Sequence, residues 1–276
     1  MRQATKKRRR HRRSRAPLWG GLLALALLLI FMWYGGRTKD EAGATPPGGA
    51  QASAKGPQAG QSGAEPGADC PQVLKDLLDR NPETTDFVAG YPGAAPGEID
   101  LSADYTPGEI PAFFQWDTRW GYGLYGGNEV GDLMGLSGCG PTALSMVAVG
   151  LTGNMDYHPW AVAQYAGPAG YAVPGQGTAW TLMSEGCSHF GLQAREVPLW
   201  EDDMIQALED GEPIICCVGP GDFTTKGHFI VLYAYEDGLF WLHDPNSKAN
   251  SQRGWSYETL EPQILALWAY SLEEGA

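Results

Sequence analysis

The sequence predicts an α+β domain, with helices packed on an antiparallel sheet, preceded by one transmembrane helix. Three observations predict it. A charge-free apolar stretch near the N-terminus is long enough to cross a bilayer. Segments with helical apolar spacing dominate the first part of the chain that follows. Three apolar runs of strand length then gather towards the C-terminus, and helices grouped before an antiparallel sheet make an α+β domain.

The elements follow in order. Residues 1–15, "MRQATKKRRRHRRSR", are a basic tail. Residues 16–36, "APLWGGLLALALLLIFMWYGG", follow without a charge. A helix of about 20 apolar residues spans ~30 Å of hydrocarbon. Trp19, Trp33 and Tyr34 stand near its ends, where aromatic rings favour the membrane interface. Basic residues before the span place the N-terminus in the cytoplasm and everything after Arg37 outside. A cleaved signal peptide is the rival reading. Its apolar core is usually shorter and is followed by a small-x-small site. Here Ala24-Leu25-Ala26 lies inside the apolar run, which favours an uncleaved anchor.

Residues 37–69 are a Gly/Pro/Ala-rich linker. Such a composition buries too little surface to offset its ordering entropy, so a flexible tether is expected. A folded domain is expected over 70–276, long enough for one core. Charge divides in the same way. Residues 1–39 hold 11 of the 19 Lys and Arg and no acid, leaving 8 bases against 32 acids in the remainder, a balance of −24. An acidic body argues against nucleic acid as its partner. By charge alone it favours basic peptides over anionic wall polymers, an effect that salt weakens over about 10 Å.

Within the domain, Val73, Leu74, Leu77 and Leu78 share one helical face. A helix is expected just after Cys139, and another across "TAWTLMSEGCSHFGL", with Trp180, Met183, Ser184, Cys187 and Phe190 roughly on one face. "WEDDMIQALEDGEP" is a third, with acids in its first turn, Gly211 as stop signal and Pro213 beyond. "PIICCVG", "HFIVLYAY" and "LFWLHD" are the three strand candidates.

Chemistry concentrates around "LSGCGPTALSMVAVG". Pro141 suits the first helical position, where its missing N–H would be unpaired anyway. Cys139 then sits at a helix start, where free N–H groups and the dipole favour a thiolate. Gly138 and Gly140 permit a close approach by another group. The competing reading is a small buried hydrophobe. That reading is preferred for Cys187, on an apolar helix face, and for Cys216 and Cys217, adjacent in an apolar strand. Cys70 is left open between free and bridged. No pair of cysteines has metal-ligand spacing, and no metal or organic cofactor is implied.

A thiolate nucleophile wants a histidine and a group to orient it. His228 opens one strand, and His243-Asp244 close the next. The register of the hairpin between them decides the chemistry. If Glu236 to Gly238 form the loop, Asp244 faces Ile230, on the side of His228 and one diagonal step away. If only Asp237-Gly238 form the turn, His243 takes that side and Asp244 turns away. The first register gives Cys-His-Asp and the second Cys-His-His. Asp-Gly is a good two-residue turn, so local sequence leaves both open. His158, in a loop before a proline, and His189, off the apolar helix face, are expected at the surface. Gln115, taken alone, is an ordinary strand-end residue.

In order along the chain stand "IPAFFQWDTRWGY", "SGCGPTALSMV", "GTAWTLMSEG", "LEDGEPIICCV", "GHFIVLYAYEDG" and "DPN". From about residue 70 onward this set resembles the bacterial papain-like cysteine peptidases related to bacteriocin-processing peptidases, the peptidase C39-like family. The resemblance implies a papain-like fold, with Cys139 as nucleophile, His228 as general base and Asp244 as its orienter. It therefore favours the first register. It also implies a glutamine that helps hold the oxyanion. No glutamine occurs in the six residues before Cys139, so Gln115, further upstream, takes that place.

The expectation is a membrane-anchored extracytoplasmic cysteine peptidase acting on a peptide or protein substrate. The rivals are a peptidoglycan endopeptidase of the Cys-His-His type, a transglutaminase-like acyl transferase, and a catalytically silent peptide-binding module.

Overall fold

A computed structural model describes residues 66–67 and 69–273. The basic tail, the expected anchor at 16–36 and nearly all of the linker lie outside the described residues. Among the described residues no helix is long and apolar enough to cross a membrane.

The N-terminal part is helical: α1 (Gln72–Arg80), α2 (Thr85–Ala89), α3 (Met134–Ser137), α4 (Cys139–Thr152) and α5 (Pro159–Ala166). A two-stranded hairpin follows, β1 (Ala172–Val173) with β2 (Gly177–Thr178), then α6 (Thr181–Ser184). The rest builds a six-stranded sheet. Its members are β3 (Leu192–Glu196), β4 (Ile214–Val218), β5 (His228–Glu236), β6 (Leu239–His243), β7 (Gly254–Trp255) and β8 (Ile264–Leu272), with α7 (Glu201–Glu209), α8 (Lys248–Ser251) and α9 (Tyr257–Leu260) between them. The sheet order is β3-β8-β4-β5-β6-β7, antiparallel throughout.

The α+β class and the antiparallel sheet stand as expected. The strict order of helices then strands does not, because β3 precedes α7 and β8 closes the sheet between β3 and β4. The single helix expected across 178–192 is also divided. Gly186 ends the run after α6, a 3-10 turn covers Gly186–Phe190, and Trp180 and Ser184 are left exposed while Met183, Cys187 and Phe190 are buried. Of the four apolar residues noted on α1, Leu74 and Leu77 are buried and Val73 is exposed.

The two faces of β4 explain its unbroken apolar sequence. All five of its residues are buried. Cys216 packs with Ile230, Leu232, Phe240 and Leu242 on one side of the sheet. Cys217 packs with Phe229, Val231, Trp268 and the residues of α4 on the other. A strand covered on both faces loses the alternating pattern. Likewise every residue of α4 from Gly140 to Val149 is buried, so this helix is apolar all round rather than amphipathic. It is the central helix against the sheet, and its first residue is Cys139. A third, smaller core holds Leu74, Leu77, Phe87, Val88 and Trp116.

Candidate active site

The helix carrying the cysteine starts two residues earlier than its sequence suggests. Cys139 is itself the first residue of α4, Gly138 is the cap and Pro141 the third residue. Pro141 is therefore not at the first helical position, but it still lies within the first turn, where its missing N–H breaks no helical bond. The glycines on either side of Cys139 are required by close approach, not by backbone angle. A side chain at Gly138 would meet the Met134 carbonyl oxygen at 2.6 Å, and one at Gly140 would run into Thr178. Thr178 in turn is hydrogen-bonded to the Tyr125 hydroxyl at 3.0 Å. Gly140→Ala is therefore expected to lower stability by about 1–3 kcal/mol, the usual cost of overpacking, in a urea titration.

His228 is the first residue of β5 and pairs with Val218 of β4. Its approach to Asp244 depends on the hairpin. Asp237 and Gly238 form a two-residue turn, both in the left-handed region (φ 52° and 79°), and Glu236 pairs with Leu239. That is the second of the two registers. Between Leu232 and Ala234 the pairing then shifts, leaving Tyr233 as a β-bulge, and from there Val231 faces His243. Asp244 comes level with Ile230, as a three-residue loop would have placed it. The hairpin leaves its turn in one register and reaches the site in the other. A bulge inserts one unpaired residue and so resets the two-residue alternation beyond it.

The outcome is a direct bond. His228 Nε2 donates to Asp244 Oδ1 at 2.7 Å, with both side chains buried. Asp244 Oδ1 also accepts from the Asn246 N–H at 2.8 Å, and Oδ2 accepts from Asn250 Nδ2 at 2.8 Å. Burial opposes charge on the His228 ring. The Asp244 carboxylate outweighs it, helped by the nearby Cys139 thiol, and the ring is held up at about 10. Cys139 is half-buried, so it is the member of the group that a substrate can reach.

His243 lies elsewhere. Its ring stacks on Tyr233 at 4.3 Å, its Nε2 donates to the Ile110 carbonyl at 2.9 Å, and burial pushes it down to about 4. A Cys-His-His arrangement through His243 is not assembled.

Gln115 sits in a turn, not at a strand end. It is buried between the two halves of the site. Its backbone N–H donates to the Pro245 carbonyl at 2.8 Å, directly after Asp244, and its Nε2 donates to the Gly135 carbonyl at 3.1 Å, four residues before Cys139. The amide keeps a second N–H beyond that bond.

The other candidates fall outside this group. His189 is exposed and stacked on Tyr165. His158 is half-buried rather than at the surface, because its Nδ1 caps α5 by accepting from the Ala161 N–H. Cys70 is a buried free thiol. Burial raises Cys187 to about 11 and, with the neighbouring Cys139, Cys217 to about 12. Cys216 is raised by burial as well. Sequence reasoning missed Asn246 and Asn250 as partners of Asp244. Only Asn246 had a signal, in the "DPN" motif.

Residues 108–271, more than half of the chain, match the model of the Peptidase_C39 like family. The chain belongs to that family. Two solved structures resemble this C39-like chain. One is the peptidase domain of Streptococcus ComA, a bi-functional ABC transporter involved in a quorum sensing pathway, at 20% identity and a TM-score of 0.38, covering 54% of this chain and 96% of that one. The other is from Bacillus anthracis and described as a C39-like peptidase, at 14% identity and a TM-score of 0.32, covering 48% of this chain and 88% of that one. No curated protein matches the sequence. The C39-like match begins at residue 108, so α1 and α2 precede it.

Proposed function

We propose that this C39-like chain is a membrane-anchored thiol hydrolase that cleaves peptide bonds outside the cytoplasm. The observation that carries the chemistry is the 2.7 Å bond between His228 and the buried Asp244, on a ring whose other partner is the half-buried Cys139. With Nε2 held by Asp244, Nδ1 is the nitrogen that exchanges a proton with Cys139 Sγ. The thiolate attacks the substrate carbonyl carbon, and the proton goes to His228. The first-turn N–H groups of α4 and the free N–H of Gln115 hold the oxyanion; one such donor is typically worth about 10²–10³ in rate. The C–N bond breaks, His228 protonates the leaving amine, and a thioester remains. Water, deprotonated by His228, attacks the thioester and restores the thiol. Residues 16–36 anchor the chain, 37–69 tether it, and the acidic body favours basic peptides.

The test is alkylation of the full chain with limiting iodoacetamide between pH 5 and 9, each cysteine followed by mass spectrometry. Cys139 is expected to label rapidly near pH 6, and His228→Ala to slow it. Labelling of Cys139 only above pH 8, or no preference over Cys187 and Cys217, would sink the enzymatic reading and favour a silent peptide-binding module. Incorporation of a primary amine into a protein substrate would instead mark a transglutaminase-like transferase.

A further inference from the structure

Residues 70–107 lie ahead of the family match, yet they reach the loop that follows the acid of the site. Asn81, just beyond α1, donates from Nδ2 to the Asn246 carbonyl at 2.5 Å. Its own Oδ1 accepts from the Glu83 N–H at 3.1 Å, so both ends of the amide are fixed. Trp116 Nε1 donates to the same Asn246 carbonyl at 3.1 Å. The Glu83 carboxylate accepts from the N–H groups of Lys248 and Ala249 at 2.6 and 3.0 Å, the first two residues of α8. The Lys248 ammonium covers the Phe114 and Trp116 rings, 5.4 and 4.9 Å from their centroids.

Apart from the Glu83–Asn81 bond, these contacts end on the stretch 244–251, which is also what holds the Asp244 carboxylate. Asn246 and Asn250 donate to its two oxygens, and the Asp244 N–H donates to Ser251 Oγ at 2.9 Å. A four-residue helix does not persist on its own, so α8 depends on outside contacts for its place. We propose that Asn81 and Glu83 are positioning residues: the N-terminal segment clasps the 244–251 loop and thereby sets the Asp244 carboxylate against His228. The role as a catalytic aid rests on the peptidase reading above. The geometric claim, that the clasp sets the Asp244–His228 contact, does not.

The groups that act on the His228 ring are Asp244 and Cys139, while Glu83 is bonded to the backbone of Lys248 and Ala249 and neither Glu83 nor Lys248 is bonded to the ring. A clasp variant therefore changes the ring's titration by way of Asp244. Glu83→Gln also removes a charge. Asn81→Ala is the charge-free variant within the segment itself, and Trp116→Phe removes the second donor to the Asn246 carbonyl together with part of the buried indole.

The experiment uses the full chain and two readouts: histidine-selective NMR titration of His228, and the rate of Cys139 labelling by iodoacetamide at neutral pH. In Glu83→Ala, Asn81→Ala and Trp116→Phe the His228 midpoint is expected to fall from its raised value towards the ordinary 6.5. Labelling is expected to slow about tenfold or more, as small misplacements of a catalytic group do. Glu83→Gln, which keeps acceptor oxygen, is expected to lose less than Glu83→Ala. If the folded variants melt earlier but His228 titrates as in the wild type, the segment is only packing and the proposal is overturned. If Glu83→Ala does not fold, Asn81→Ala decides on the same terms. If wild-type Cys139 proves unreactive, the peptidase reading fails, while the His228 midpoint still tests the clasp.

Discussion

Cys139→Ala, His228→Ala and the double variant are expected to lose hydrolysis by nearly the same factor, on the order of 10⁴–10⁶, against any peptide the wild type cleaves. The single losses are large because each residue is useless without the other. Alanine at 139 leaves no sulfur to attack. Alanine at 228 leaves the thiol without its proton partner and the leaving amine without its acid. The double variant should be no worse than either single one, since groups that act as a unit are grossly non-additive. The measurement is the rate of cleavage of a peptide chosen from a fluorogenic library, followed for the full chain and the three variants. Losses that multiply in the double variant would mean that the two residues act separately. Full retention of activity in Cys139→Ala would mean that another group carries the reaction. Folding should survive Cys139→Ala, because Cys139 is half-buried at the start of α4 and contributes little of the core around Leu144, Met146 and Val147, whereas His228→Ala leaves the buried Asp244 carboxylate without its partner and its folding is checked by circular dichroism alongside the rate.

Cys139 and His228 were legible in the sequence as candidates because their signals are local: glycine-flanked cysteine at the head of an apolar helix, histidine at the head of an apolar strand. Asp244 was different. Asp237-Gly238 correctly announced a two-residue turn, and that turn, extended as a regular ladder, would have turned Asp244 away from His228. Tyr233 reverses this, and nothing in "VLYAYEDG" distinguishes a bulged tyrosine from a paired one. What fixes it is tertiary: the ring stacks on His243, and His243 is tied to Ile110, far away in sequence. The strand β8 was missed for a related reason. "ILALWAYSL" mixes exposed Leu265 with buried Leu267 to Tyr270, and its neighbours β3 and β4 lie far from it along the chain. The bonds from Asn81 and Glu83 span about 165 residues and end on backbone groups, which leave no trace in side-chain pattern.

Asp244→Ala is expected to lower hydrolysis by about 10⁴, the scale seen when the orienting acid of a catalytic triad is lost. It removes the acceptor that fixes the His228 tautomer and the charge that favours the imidazolium. Asp244→Asn separates the two. The amide keeps the shape of the side chain but not the charge, and it is expected to cost about as much, on the order of 10⁴. The consequence for pH has a definite sign. In the wild type the folded His228 is raised to about 10 from 6.5, so the stability it contributes is fully present below 6.5 and is lost as pH rises through about 10. With the carboxylate neutralised, the main upward pull on the ring is gone, and burial lowers it against the Cys139 contribution alone. The alkaline limb of the pH–rate profile should then move down from near 10, so Asp244→Asn should lose activity at a lower pH than the wild type. His243→Ala is the counterpart. It loses one hydrogen bond and a stacking contact, about 1–3 kcal/mol of stability, and no catalytic group. Its rate profile should match the wild type. A limb that stays put in Asp244→Asn and moves in His243→Ala would reassign the orienting role to His243, and with it the kind of bond this site breaks.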